Sequence, residues 1–143
     1  MFNQDRDSMR QYFLETWQKA RNNEPMDQLQ TIIARIIERH PEYHDFLQKG
    51  EDAIAKEFLP EMGESNPFLH LGMHIGLHEQ LSTNRPQGIV SIYKKMIKKF
   101  GDDHAAEHEM MESLGEMIWS AQRENRLPDE QDYLRSLRAR LAK

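Results

Sequence analysis

Apolar positions recur along this chain at offsets of three, four, seven and eight, the period of a helix that buries one face. The clearest stripe is Leu29, Ile32, Ile33, Ile36 and Ile37. Ahead of it, Met9, Tyr12, Phe13, Trp17 and Ala20 mark one face of a first helix, with Ser8 as its cap. Asn22-Asn23-Glu24-Pro25 breaks that helix. The second ends at His40-Pro41, because the residue before a proline is pushed out of the helical region. Pro41 then opens a short helix holding Tyr43, Phe46 and Leu47. Gly50, Pro60 and Gly63 punctuate residues 49–65, which predicts a loop with at most a turn of helix near Ala53 to Phe58.

Asn66-Pro67 is a clear start, a capping side chain followed by proline at the first helical position. The fourth helix should run to about Asn84. Arg85-Pro86-Gln87-Gly88 separates it from a fifth, with Ile89, Ile92, Tyr93, Met96, Ile97 and Phe100 inward. Lys94, Lys95, Lys98 and Lys99 form its solvent face. Gly101 ends this helix, Asp102 or Asp103 caps the sixth, and the sixth runs to about Asn125. Leu127-Pro128-Asp129 opens a last helix carrying Tyr133, Leu134, Leu137 and Leu141. No strand pattern or internal repeat competes. The expectation is an all-α, compact helical bundle of about six to seven helices, a single domain over residues 1–143.

Composition narrows the chemistry. With 143 residues the chain is long enough to bury a core without covalent staples, and it has no cysteine. Disulfides, thiolate metal sites and cysteine nucleophiles are excluded. The net charge of −5, from 24 acidic and 19 basic residues, leaves no general nucleic-acid footprint. No apolar run approaches the ~20 residues that span a bilayer, and the N-terminus lacks the pattern of a signal peptide. These features predict a soluble, cytoplasmic protein with no nucleic-acid or membrane partner.

The candidate chemistry lies in histidine. Five of seven histidines fall on the fourth and sixth helices, as His70, His74 and His78, and as His104 and His108 followed by Glu112. Residues four apart on a helix have Cβ atoms about 5–6 Å apart on one face. Helical projection sets the first row among Leu71, Leu77 and Leu81, with Gly72 and Gly76 roughly opposite, where another helix could approach closely. It sets the second row in a stripe with Met111, Gly115, Ile118 and Trp119. A carboxylate such as Glu112 on an apolar stripe needs a cation, a donor or a metal.

Two readings follow. In the first, His70, His74, His108 and Glu112 converge on one divalent metal between the two helices, with His104 and His78 as further ligands or supporting partners. Nitrogen and oxygen donors without sulfur suit zinc, iron, manganese or nickel. Glu107, just off the stripe, is then the candidate acid/base for metal-activated water. In the second reading the cluster is a buried hydrogen-bond network in a non-enzymatic homodimer. His104-Ala105-Ala106-Glu107-His108 matches the short H-x-x-E-H pattern of a zinc-protease group, but those enzymes need a distant third ligand and a much larger fold. No histidine has a glutamate three residues before it, unlike the ferritin-type di-iron bundles.

The stretch Asn66-Pro67-Phe68-Leu69-His70 through Glu79-Gln80-Leu81, with Arg85-Pro86 and Gly88-Ile89, resembles an uncharacterised bacterial family, domain of unknown function eighteen-forty-one. The later run Ala106 to Glu112, then Leu114-Gly115-Glu116, Trp119 and Ala121-Gln122-Arg123, resembles that family's second signature. The resemblance covers most of the chain, implies a small helical proteobacterial protein, and supplies no activity. It also implies that His70, His74, Glu79, Glu107, His108 and Glu112 belong to the family pattern, while the position of His78 is commonly arginine. Pairing a histidine row with a His/Glu row is similar, in architecture alone, to the metal-binding DinB-like bundles.

Overall fold

The computed structural model describes residues 2–58 and 66–143, with the side chains of residues 2–4 left aside. The described elements are helices: α1 (Phe2–Arg21), α2 (Gln28–Glu38), a single 3-10 turn (Pro41–Tyr43), α3 (His44–Leu47), α4 (Glu51–Ala55), α5 (Pro67–Thr83), α6 (Ile89–Phe100), α7 (Asp103–Arg123) and α8 (Glu130–Ala142). No strand occurs among the described residues. The all-α expectation holds, and the count rises to eight because the segment after Pro41 folds into two short helices, α3 and α4. The expected turn near Ala53 to Phe58 lies earlier, at α4, and the rest of the expected loop, residues 59–65, falls outside the described residues. Among the described residues no helix is long and apolar enough to cross a membrane. The chain divides into two compact units, Met1–Ile75 and Gly76–Lys143.

In the first unit, Phe13, Ile33, Ile37, Leu47, Ala53, Phe68 and Leu71 form the core. Phe68 stacks on Phe13 with ring centres 6.2 Å apart and meets Phe46 edge-on at 5.6 Å. Offset and edge-on pairs of this kind add about 0.5–1.5 kcal/mol each beyond their buried area. Asp27 enters α2 through a capping box: its carboxylate accepts from the Gln30 amide, and the Gln30 side chain accepts from the Asp27 amide. Two otherwise orphaned donors are thereby satisfied. Arg10, buried on α1, donates to the Ile54 and Lys56 carbonyls at 2.8 and 2.9 Å while its guanidinium lies over the Phe68 ring. It closes the end of α4, where carbonyls lack helical partners. Three expectations fail here. Ser8 lies inside α1 rather than capping it, and Met9 and Leu29 are exposed at 61% and 47%, so both apolar stripes are narrower than their spacing implied.

In the second unit, α6 buries Ile89, Ile92 and Met96, and α8 buries Tyr133, Leu134 and Leu137. Gly101 stops α6 at φ +97°, a left-handed conformation that glycine adopts without strain, and its amide donates to the Ile97 carbonyl. Phe100, expected inward, is 36% exposed. Asp102 and Asp129 cap α7 and α8. Lys99 folds back to donate to the Arg140 and Leu141 carbonyls, which terminates α8 with a positive charge. Tyr133 donates its hydroxyl to the Gln80 side chain at 2.8 Å, and burial pushes the phenol well above its usual range.

The buried face of α7 is Ala106, Met110, Ser113, Leu114 and Ala121, with Met111 beside it. That face differs from the expected one. Ile118 and Trp119 are exposed, and Glu112 lies outside with them. Small buried residues mask a helix's inner face when large apolar ones sit outside. Gly72 and Gly76 likewise do not mark a close helix approach: nothing among the described residues lies within 4 Å of where a Cβ would stand.

Candidate metal centre

His40 owes its position to the residue that follows it. Pro41 excludes the helical conformation at His40, which adopts φ −126°, ψ 64° and ends α2. The side chain continues the inward stripe of Ile33 and Ile37 at offsets of seven and three, and is 1% exposed. His40 Nδ1 lies 2.7 Å from the Ile36 carbonyl oxygen. A carbonyl only accepts, so Nδ1 carries a proton, and in the neutral ring the lone pair is then on Nε2. The Tyr43 ring stacks on His40 with centres 5.4 Å apart and planes 3° from parallel, which fixes the imidazole from the side.

His70 and His74 come from α5, started by Asn66, whose Oδ1 accepts from the Phe68 and Leu69 amides. One helical turn separates the two imidazoles. His70 Nε2 stands 3.1 Å from His40 Nε2 and 3.2 Å from His74 Nε2. The rings meet edge-on at 65° to 75°, so their Nε2 corners converge rather than their faces. His74 is buried and His70 partly buried.

Hydrogen bonds among the three rings make one atom serve two contacts. The single Nε2 of His70 carries either one proton or one lone pair, yet it faces two other Nε2 atoms. One shared proton would have to serve both. A metal would serve all three lone pairs together. With metal–nitrogen bonds of about 2.0–2.1 Å, tetrahedral ligands stand about 3.3–3.4 Å from one another, close to the observed contacts. The Ile36 carbonyl is then the partner that orients His40 and raises its basicity, a common companion of metal-bound histidine.

The other anticipated residues lie in the second unit. His104 and His108 occupy the first two turns of α7 with ring centres 4.1 Å apart, both partly buried. Glu107 is partly buried too, while Glu112 and His78 are exposed. The buried-carboxylate argument for Glu112 therefore loses its premise. His40 is the residue that sequence reasoning passed over. Its place before Pro41 marked a helix end, and that role hid its second one. The signal was present all the same, since the Ile33–Ile37 stripe extended by three residues lands on it.

Comparison with known proteins adds a family and no function. The family model described as Domain of unknown function (DUF1841) matches residues 5–139, and the chain belongs to that family. No curated protein and no solved structure matches this chain.

Proposed function

We propose that this member of a family without assigned activity binds one divalent metal ion through His40, His70 and His74. The observation that carries the reading is the convergence of the His40, His70 and His74 Nε2 atoms at 3.1 and 3.2 Å. An all-imidazole set suits zinc, nickel, iron or copper, and disfavours manganese, which takes oxygen ligands. Bound there, the ion would act as a Lewis acid toward water or a small substrate. Glu107, one residue before His108, is assigned to proton transfer and not to ligation. Glu112 and His104 stand outside the ligand set.

Elemental analysis of untagged protein tests the reading. Near-stoichiometric metal should be lost in His40→Ala, His70→Ala and His74→Ala, and kept in Glu112→Gln and Glu107→Gln. His108→Ala tests separately whether that imidazole is a further ligand. Wild-type protein that stays metal-free after reconstitution, with its helices intact, would overturn the proposal.

A second reading, a homodimer, is favoured by Trp119 and Leu127, which are 60% and 87% exposed. Such side chains mark a partner surface where they form one contiguous patch. Sedimentation of the wild type and Trp119→Ser decides it: a concentration-dependent mass lost in the variant supports the dimer, and a monomer throughout excludes it.

A further inference from the structure

Two helix faces in the second unit match each other and yet do not fill the space between them. From α7 come Ser113, Glu116, Met117 and Ser120, at offsets of zero, three, four and seven. From α8 and its cap come Asp129, Asp132, Tyr133 and Ser136, at the same offsets. Faces with this spacing ordinarily pack branched aliphatics into one another. Short hydroxyl side chains here leave a cavity of about 130 Å³. We propose that this cavity binds a small organic amine in its cationic form.

Charge selects the class of ligand. The floor is closed and neutralised: the Ser113 and Ser136 hydroxyls lie 2.7 Å apart, and Arg140 donates to Ser113, Glu109 and Glu116 at 2.6, 3.0 and 2.7 Å. The wall carries three carboxylates, Glu116, Asp129 and Asp132, against one guanidinium, Arg126. Arg126 is turned to Glu124, the Ser120 hydroxyl and the Leu127 carbonyl, and Asp132 also pairs with Arg135. With Glu116 paired to Arg140 and Asp132 to Arg135, the negative charge left on the wall is that of Asp129, whose Oδ1 caps α8; it repels anions and draws cations. The Tyr133 ring and the Met117 thioether supply an apolar side for methylene groups. A bare divalent ion fits poorly, because among the described residues these carboxylates do not converge as a ligand set. An amine with hydrogens to donate suits scattered hydroxyls and carboxylates better.

The test is an amide-resolved NMR titration of the full chain as purified with 1,4-diaminobutane. Its neutral analogue 1,4-butanediol and magnesium ion are run in parallel. The diamine should produce saturating shifts at Ser113, Ser120 and Ser136, with a Kd about tenfold or more below that of the diol, since a charge-assisted hydrogen bond is the stronger kind. Asp129→Asn retains the cap of α8 and removes one charge, so it should raise the Kd about fivefold, near the upper worth of an exposed charge pair. Ser120→Leu fills the space and should abolish the shifts. Equal binding of diamine and diol would overturn the proposal, as would magnesium saturating these signals where the diamine does not. An unchanged Kd in both folded variants would also overturn it.

Discussion

The two units solve the same problem, a polar group inside a helical fold, in opposite ways. In the second unit Arg140 meets three acceptors, Ser113, Glu109 and Glu116, each within 3.0 Å. Donors and acceptors match, and the network needs nothing further. In the first unit three imidazoles press ring nitrogen against ring nitrogen, and His70 Nε2 faces both neighbours with at most one proton to share. A buried polar cluster whose valences close is structure. A cluster of buried ring nitrogens aimed at one another is costly, and a bound cation would recover part of that cost.

The largest effect should fall on metal affinity. His70→Ala should lower it more than about 100-fold, beyond what loss of a mere orienting partner costs, and elemental analysis of the dialysed variant measures it. Arg140→Met is the matching cut in the second unit. It should leave metal content unchanged and lower stability by about 1–3 kcal/mol, read by urea unfolding, because two carboxylates and a buried hydroxyl lose their donor. If Arg140→Met also strips the metal, the two clusters are not independent and the contrast breaks.

Smaller changes sharpen the difference. Asp27→Ala should cost about 1 kcal/mol by removing the capping box of α2, and Asp102→Ala about the same at α7. Thermal unfolding compares them. The smallest effect is in alkali. Burial raises Tyr133 above its unfolded value, so as pH rises through about 10 the unfolded chain releases its proton first and stability falls. Tyr133→Phe should flatten part of that slope in unfolding curves taken between pH 9 and 11, roughly the range in which a free phenol ionises.

Helix ends were the most legible feature of the sequence. Asn66-Pro67, Gly101, Asp102 and Asp129 all act as their residue types predict, because capping and positive φ are local matters. Faces were less legible. On α7 the inner stripe mixes Met110 and Leu114 with Ala106, Ser113 and Ala121, whose small side chains carry little hydropathy, while Ile118 and Trp119 draw attention to the outside. The same bias put Glu112 on a buried face. Of the site, His70 and His74 were legible because they repeat within one helix. His40 was not, because its partners are thirty positions away and only folding joins them.

That separation has a topological meaning. A metal shared by His40 and His70 would close a ring of about thirty residues, and ring closure of this length removes about 3–4 kcal/mol worth of freedom from the unfolded chain. In a sequence without cysteine, such an ion would do the work of a cross-link. Unlike a disulfide, it can be withdrawn by a chelator and restored within the same experiment. The resistance of the first unit to proteases would then rise and fall with the metal supply rather than with the redox state of its surroundings.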